Sequence, residues 1–221
     1  MKKLRGFTLA ETLVTLGIIG VVASVVLPMF VRVRPNEEMI MLRKAYYLAS
    51  RTINELINDE DFYPDTEDEN TSGFSNTNPD PPARYHGVVY EGNEKFCGLF
   101  AARMNLRGQA NCGVASNFTN GQPPVGNFTT TDGMVWGLPT GNAGNFARGT
   151  APAGDGTNIA QTITVDVNGD KRPNCFPGNG CRNPDRYRIR VDRWGKIFVD
   201  EPTRRMLTAT DMTRSYDELR N

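Results

Sequence analysis

Glu11 is the only charged residue between Phe7 and Val31, a single carboxylate set in an otherwise uncharged, largely apolar run. An ionised carboxylate in such a setting is costly unless it finds a partner, and the run itself contains no base to supply one. A second chemical feature is the segment Val165 to Asn174, where oxygen-bearing side chains alternate at Asp166, Asn168 and Asp170, with Asp185 the nearest later acid. A hard cation such as calcium wants six or more oxygens, and this alternation resembles the start of a calcium loop. It departs from an EF-hand by having Gly169 at the fourth position and Pro177 where the bidentate glutamate would stand. A plain tight turn at Asn168-Gly169 is the other reading. A third feature is the basic stretch Arg182, Arg186, Arg188, Arg190, Arg193 and Lys196. Strand alternation puts Arg186, Arg188 and Arg190 on one face, able to meet acids of a neighbouring subunit, to bind phosphate, or simply to face water.

These residues need elements to hold them. Lys2, Lys3 and Arg5 precede the uncharged run Thr12 to Val31, which Glu11 and Arg32 bound. A helix rising about 1.5 Å per residue crosses a hydrocarbon core of roughly 30 Å in about twenty residues, so the run matches one span. Basic residues ahead of it favour a cytoplasmic N-terminus and an exported C-terminal part. An ordinary secretory signal carries its apolar core before the cut and loses it; here the leader-like junction comes before the apolar run. The four cysteines are an even number in a chain facing an oxidising compartment, which favours disulfides. Three connectivities are possible, and spacing suggests Cys97 with Cys112 and Cys175 with Cys181. A zinc site would need tight Cys-x-x-Cys pairs, which are absent.

The string Arg5-Gly6-Phe7-Thr8-Leu9-Ala10-Glu11-Thr12-Leu13, at the head of the apolar run, resembles the processing and assembly signal of type IV prepilins and pseudopilins. The resemblance implies cleavage between Gly6 and Phe7 by a prepilin peptidase, N-methylation of Phe7, and an assembly role for Glu11, fifth after the cut. In that family the acid meets the N-terminal amine of a neighbouring filament subunit. Pro28 matches a proline of filament pilins, beside a segment that can lose helicity on assembly; a simple kink is equally compatible. The implied fold is α+β and pilin-like: a long N-terminal helix, its first half transmembrane, packed on a small antiparallel sheet. Residues 1–6 would be the leader, 7–34 the membrane and assembly half of the helix, 35–58 its amphipathic half, and 59–221 the exported head. Major pseudopilins of the family hold calcium in their C-terminal loops, which adds to the expectation at Asp166.

The rest of the sequence agrees with that plan. Met39, Leu42, Tyr46, Ala49, Ile53 and Leu56 recur at spacings of three and four, one apolar stripe on a helix. Asn58 and Asp59 end it, and Pro64 forbids continuation. Between Asp59 and Glu69 stand seven acids and no base, a loop with a solvated face. Gly87 to Tyr90 reads as a short strand and Phe96 to Leu106 as a short helix. Phe128 to Thr130 and Met134 to Trp136 flank Asp132-Gly133, a hairpin signal. Ile163 to Val167, Tyr187 to Val191 and Ile197 to Val199 complete a sheet of about four strands, the last two joined through Asp192 to Gly195. Glycine-, asparagine- and proline-rich stretches from Asn111 to Asn127 and from Gly137 to Asn158 read as surface.

Enzyme classes are not indicated. The single histidine, His86, stands alone beside a strand, and there is no Walker loop, nucleophile elbow or metal-binding histidine pair. Lysines plus arginines equal aspartates plus glutamates at 25 each; loss of the three leader bases leaves 22 against 25, so the mature chain is slightly acidic. Nucleic acid therefore gains little from overall charge. Asn70, Asn117 and Asn127 fit the glycosylation triplet, a pattern too common to weigh. The sequence thus reads as a single-pass inner-membrane precursor, in contact with membrane lipid, whose exported head ends in a surface or periplasmic filament. Its partners would be the peptidase and other pilin or pseudopilin subunits. The type IV pilus subunit leads; a type II secretion pseudopilin and a minor pilin capturing DNA or another ligand on the arginine-rich strand stand beside it.

Overall fold

The computed structural model describes residues 8–32, 36–64, 74, 82–140, 161–178, 180–211 and 216–220. Helix α1 runs Leu9–Arg32 and helix α2 runs Glu37–Ile57. The expected single long helix is therefore two, because a second helix starts afresh at Asn36. That residue is extended (φ −68°, ψ 109°), and its side chain accepts a hydrogen bond from the Met39 amide at 3.1 Å. An asparagine cap preceded by proline is a strong start signal, since the cap satisfies an amide that the first turn leaves without a partner.

Of the expected apolar stripe on helix α2, Met39, Leu42, Ala49, Ile53 and Leu56 are fully buried, while Tyr46 is half-buried and Ala45 beside it is fully buried. Against it lie helix α3 (Lys95–Ala101) and the main sheet. That sheet has five strands in sequential antiparallel order: β3 (Phe128–Thr129), β4 (Val135–Gly137), β5 (Gln161–Asp166), β6 (Arg186–Val191) and β7 (Ile197–Val199). Each of the five falls on a segment read as a strand, one more than the sheet of about four expected, with β3 and β4 meeting across the Asp132-Gly133 turn, where Gly133 takes φ 90°. The β6–β7 turn is held by Asp192, whose carboxylate accepts from the Trp194 and Lys196 amides at 3.0 and 2.8 Å. A separate two-stranded hairpin, β1 (Ala83–Tyr85) with β2 (Val88–Tyr90), lies beside α3. Two C-terminal helices, α4 (Glu201–Thr208) and α5 (Tyr216–Arg220), complete the described elements.

Alternation along β6 sends Tyr187, Ile189 and Val191 into the core, all fully buried, where they join Ile163 and Val165 of β5. Trp136 of β4 fills the space by Phe100 and Phe128, with ring centroids 5.8 and 6.2 Å away. Gly137 follows it, and a Cβ there would collide with Phe118 and Ser116, so the loop before β3 can close over β4 only on a glycine. Both disulfides form as expected: Cys97 with Cys112, Cα atoms 5.7 Å apart, and Cys175 with Cys181, 6.1 Å apart. The first ties α3 to the loop after it. The second closes the loop just before β6.

Candidate functional site

The N-terminal site begins at the first turn of α1. Thr8 and Glu11 form a reciprocal cap: the Thr8 amide and hydroxyl donate to Glu11 Oε2 at 2.8 and 2.9 Å, and the Glu11 amide donates to Thr8 Oγ1 at 3.3 Å. This is the capping-box arrangement, in which a threonine and a glutamate three residues on satisfy each other's orphan donors. The sequence pattern Thr-x-x-Glu could have announced it. Beyond this cap α1 presents no buried side: leucines, isoleucines and valines from Leu9 to Leu27 stand exposed. The segment Leu9–Leu27 is long and apolar enough to cross a membrane, and none of it is buried within the protein. No cation pairs with Glu11 among the described residues. Gly6, Phe7 and Pro35 lie outside the described residues, as does the side chain of Pro28.

The second candidate is the loop after β5, and here the charges are already engaged. Asp166, fully buried, receives Arg186 Nε at 2.7 Å. The Arg186 guanidinium also donates to the Thr119 carbonyl at 2.5 Å, to the Gln122 carbonyl and to Asn174 Oδ1 at 3.0 Å. Burial pushes the Asp166 carboxyl up to about 6, with Arg186 opposing that rise and nearby Asp185 adding to it. Asp185 is also fully buried, and its two oxygens accept the Asn174 and Cys175 amides at 2.8 and 2.7 Å. Asn168 donates its amide to Asp166 at 3.3 Å, while Asp170 faces solvent.

The set does not fit a calcium ion in this arrangement. An incoming cation would have to displace Arg186 from Asp166 and two amides from Asp185. What is left over is Asn168 Oδ1, buried with no hydrogen-bond partner, and the solvent-facing carboxylate of Asp170. Among the described residues no three acidic, histidine or cysteine side chains converge on a point. The loop is instead an internal brace, binding the chain before β6 to the loop at Thr119 and Gln122.

The arginine strand divides accordingly. Arg186, expected on an open face with Arg188 and Arg190, is fully buried because the 119–122 loop and Asn174 cover it. Arg188 is exposed and stacks on Phe176 with 3.6 Å to the ring centroid, and Arg190 is half-buried. His86 sits in the β1–β2 turn at φ 49°, its ring centroid 4.2 Å from that of Tyr85. Asn127 is buried, with its amide bonded to the Asn111 and Val114 carbonyls and its oxygen to the Leu138 amide.

Residues 1–27 match the family model described as the prokaryotic N-terminal methylation motif, carried by a structural family. No curated protein and no solved structure matches the chain. The motif covers the leader and most of α1, and the head is legible only through its own physics. Since that motif runs directly into an apolar helix which the described residues leave uncovered, ahead of an α+β head, the protein is type IV pilin-like in its build.

Proposed function

We propose that the protein is a structural subunit of a type IV pilus or pilus-like filament. A prepilin peptidase cuts between Gly6 and Phe7, the Phe7 amine is methylated, and the mature chain waits in the cytoplasmic membrane with its head exported. Polymerisation then moves α1 from lipid into a bundle of like helices. The observation that supports this most is the state of α1: the nineteen-residue segment Leu9–Leu27 is apolar enough to cross a membrane and is left uncovered by the described residues, and Glu11 in its first turn has no cationic partner among them. Within a bundle the apolar faces bury one another, and Glu11 gains the N-terminal amine of a neighbour. A charged pair formed in an apolar setting fixes register, because a misaligned copy leaves both charges buried and unpaired.

The head gives less support to ligand capture. Burial of Arg186 leaves Arg188 and Arg190 as the accessible arginines of β6, too few for a DNA groove without further cations on the same face. Shearing cells that express the chain at native level, pelleting the filaments and labelling the head is the direct test. Long labelled fibres support the pilus reading. Label confined to the membrane fraction, with secretion impaired on deletion of the gene, would instead assign it to a secretion pseudopilus.

A further inference from the structure

A cleft of about 540 Å³ opens between α2, β7 and α4, with Arg43, Arg190 and Arg204 at its rim, apolar walls that include Tyr46, Phe198 and Leu207, and no acid among its lining residues. Arg43 is fixed there: its Nη2 donates to the Met206 carbonyl at 3.3 Å and to the Ala209 carbonyl, at the C-terminal end of α4. Its Nε is buried and has no hydrogen-bond partner. Arg204 is paired with Glu201, on its own helix. A cationic rim over apolar walls suits a short acidic chain segment, because guanidinium groups grip carboxylates in a fixed fork while the backbone covers the walls.

The chain itself carries such a segment. Immediately after α2 come Asp59, Glu60 and Asp61, the last two exposed, and no cation pairs with any of the three among the described residues. The turn that presents them is firm. Asp59 accepts the Asp61 amide on its carboxylate at 3.1 Å, its carbonyl accepts the Phe62 and Tyr63 amides at 3.0 and 2.9 Å, and both aromatic side chains are buried. The Asp59–Asp61 turn is far from the Arg43 end of the cleft in its own chain: Ile57, the last residue of α2, follows Arg43 by fourteen positions, which at 1.5 Å per residue is about 21 Å.

We infer that the Arg43, Arg190 and Arg204 cleft of one copy receives the Asp59–Asp61 turn of a second copy. The two surfaces differ, one set beside Arg43 and Tyr46 of α2 and the other beyond the C-terminal end of that helix, so the contact is head-to-tail. Such a contact does not close into a dimer and instead propagates as an open polymer when its rotation does not close. This inference rests on the filament reading and gives it a second contact, between heads, independent of α1.

A photo-crosslinking residue placed at Thr208, on the cleft wall, tests it in the full-length chain in cells. The expected result is an adduct of twice the chain mass whose linked peptide contains Asp59 to Asp61. Glu60→Arg with Asp61→Arg should reduce that adduct about five-fold, the worth of two exposed ion pairs. Adding Arg190→Glu and Arg204→Glu to the same chain should restore it. An adduct mapped to another part of the chain, to nucleic acid or to lipid overturns the inference, as does no adduct in sheared filaments that contain the protein; in all these cases the filament reading stands. A chain that never enters filaments overturns both.

Discussion

Helices α1 and α2 follow one another in the chain and have similar lengths, 24 and 21 residues, yet their apolar residues have opposite fates. In α2 the apolar positions repeat at three and four, form one stripe, and vanish into a core shared with α3 and the sheet. In α1 they surround the helix, and no described residue covers them. Two carboxylates mark the same divide. Asp166 in the head is met across twenty residues by Arg186, which is itself satisfied by three further acceptors. Glu11 is met only by its own first turn, through neutral donors of Thr8. The head has solved its burial problem internally. Helix α1 has no such solution among the described residues, and on the proposed filament reading lipid and other copies supply it.

The largest expected effect comes from removing the charge that α1 leaves unpaired. Glu11→Gln keeps an acceptor for the Thr8 amide and loses the charge, whereas Glu11→Ala loses both; glutamine is an accepted partner in a capping box. Both variants should abolish sheared filaments while the processed chain persists in the membrane fraction. Normal filaments from Glu11→Gln would show that the local cap, and not an intersubunit charge pair, is what α1 requires.

In the head, Arg186→Met should cost about 3–5 kcal/mol of unfolding free energy, since it strands a buried carboxylate; denaturant unfolding of the protein in detergent measures it. A loss within the range of a surface pair would mean that the brace is not what closes the head. Disulfide removal should cost less. In the chain-entropy picture the Cys97–Cys112 loop, with a separation of 15, contributes about 3 kcal/mol, and the Cys175–Cys181 loop, with a separation of 6, about 2 kcal/mol. Cys-to-Ser pairs compared in the same assay should preserve that order.

The last effect is a pH slope. Burial raises the Asp166 carboxyl to about 6 in the folded state, above the roughly 3.9 of an unfolded aspartate. The folded protein then holds more protons between those values, so this group's contribution to stability falls as pH rises from about 4 to about 6 and is level above. The difference between parent and Asp166→Asn unfolding curves should show that falling slope. A rising difference would mean that Arg186 dominates the carboxyl after all.

Much of this was legible from local pattern. Alternation located β5, β6 and β7, the Asp132-Gly133 turn located β3 and β4, and the stripe from Met39 to Leu56 located α2. What escaped notice had weak or distant signals. Strand β1 hides because its turn is His86-Gly87, where a histidine takes the positive φ usually given to asparagine or glycine. Helix α4 buries only Thr203 and Met206, too few positions to show a period, although Asp200 capping the Thr203 amide and Pro202 in the first turn were available cues. Arg186 escaped for a different reason. Alternation correctly puts it on the face of Arg188 and Arg190, but its cover comes from Thr119 and Gln122, more than sixty residues away in sequence. Local pattern assigns a face; only tertiary closure decides whether that face is open.

The central claim is that α1 is made to leave lipid and join other copies after the leader is removed. Intact-mass measurement of the chain recovered from sheared filaments tests it most directly. The account predicts a mature chain that starts at Phe7, heavier by one methyl group and lighter by two hydrogens for each of two disulfides. A chain that still starts at Met1, or one cut beyond Val31 and free of α1, would contradict it.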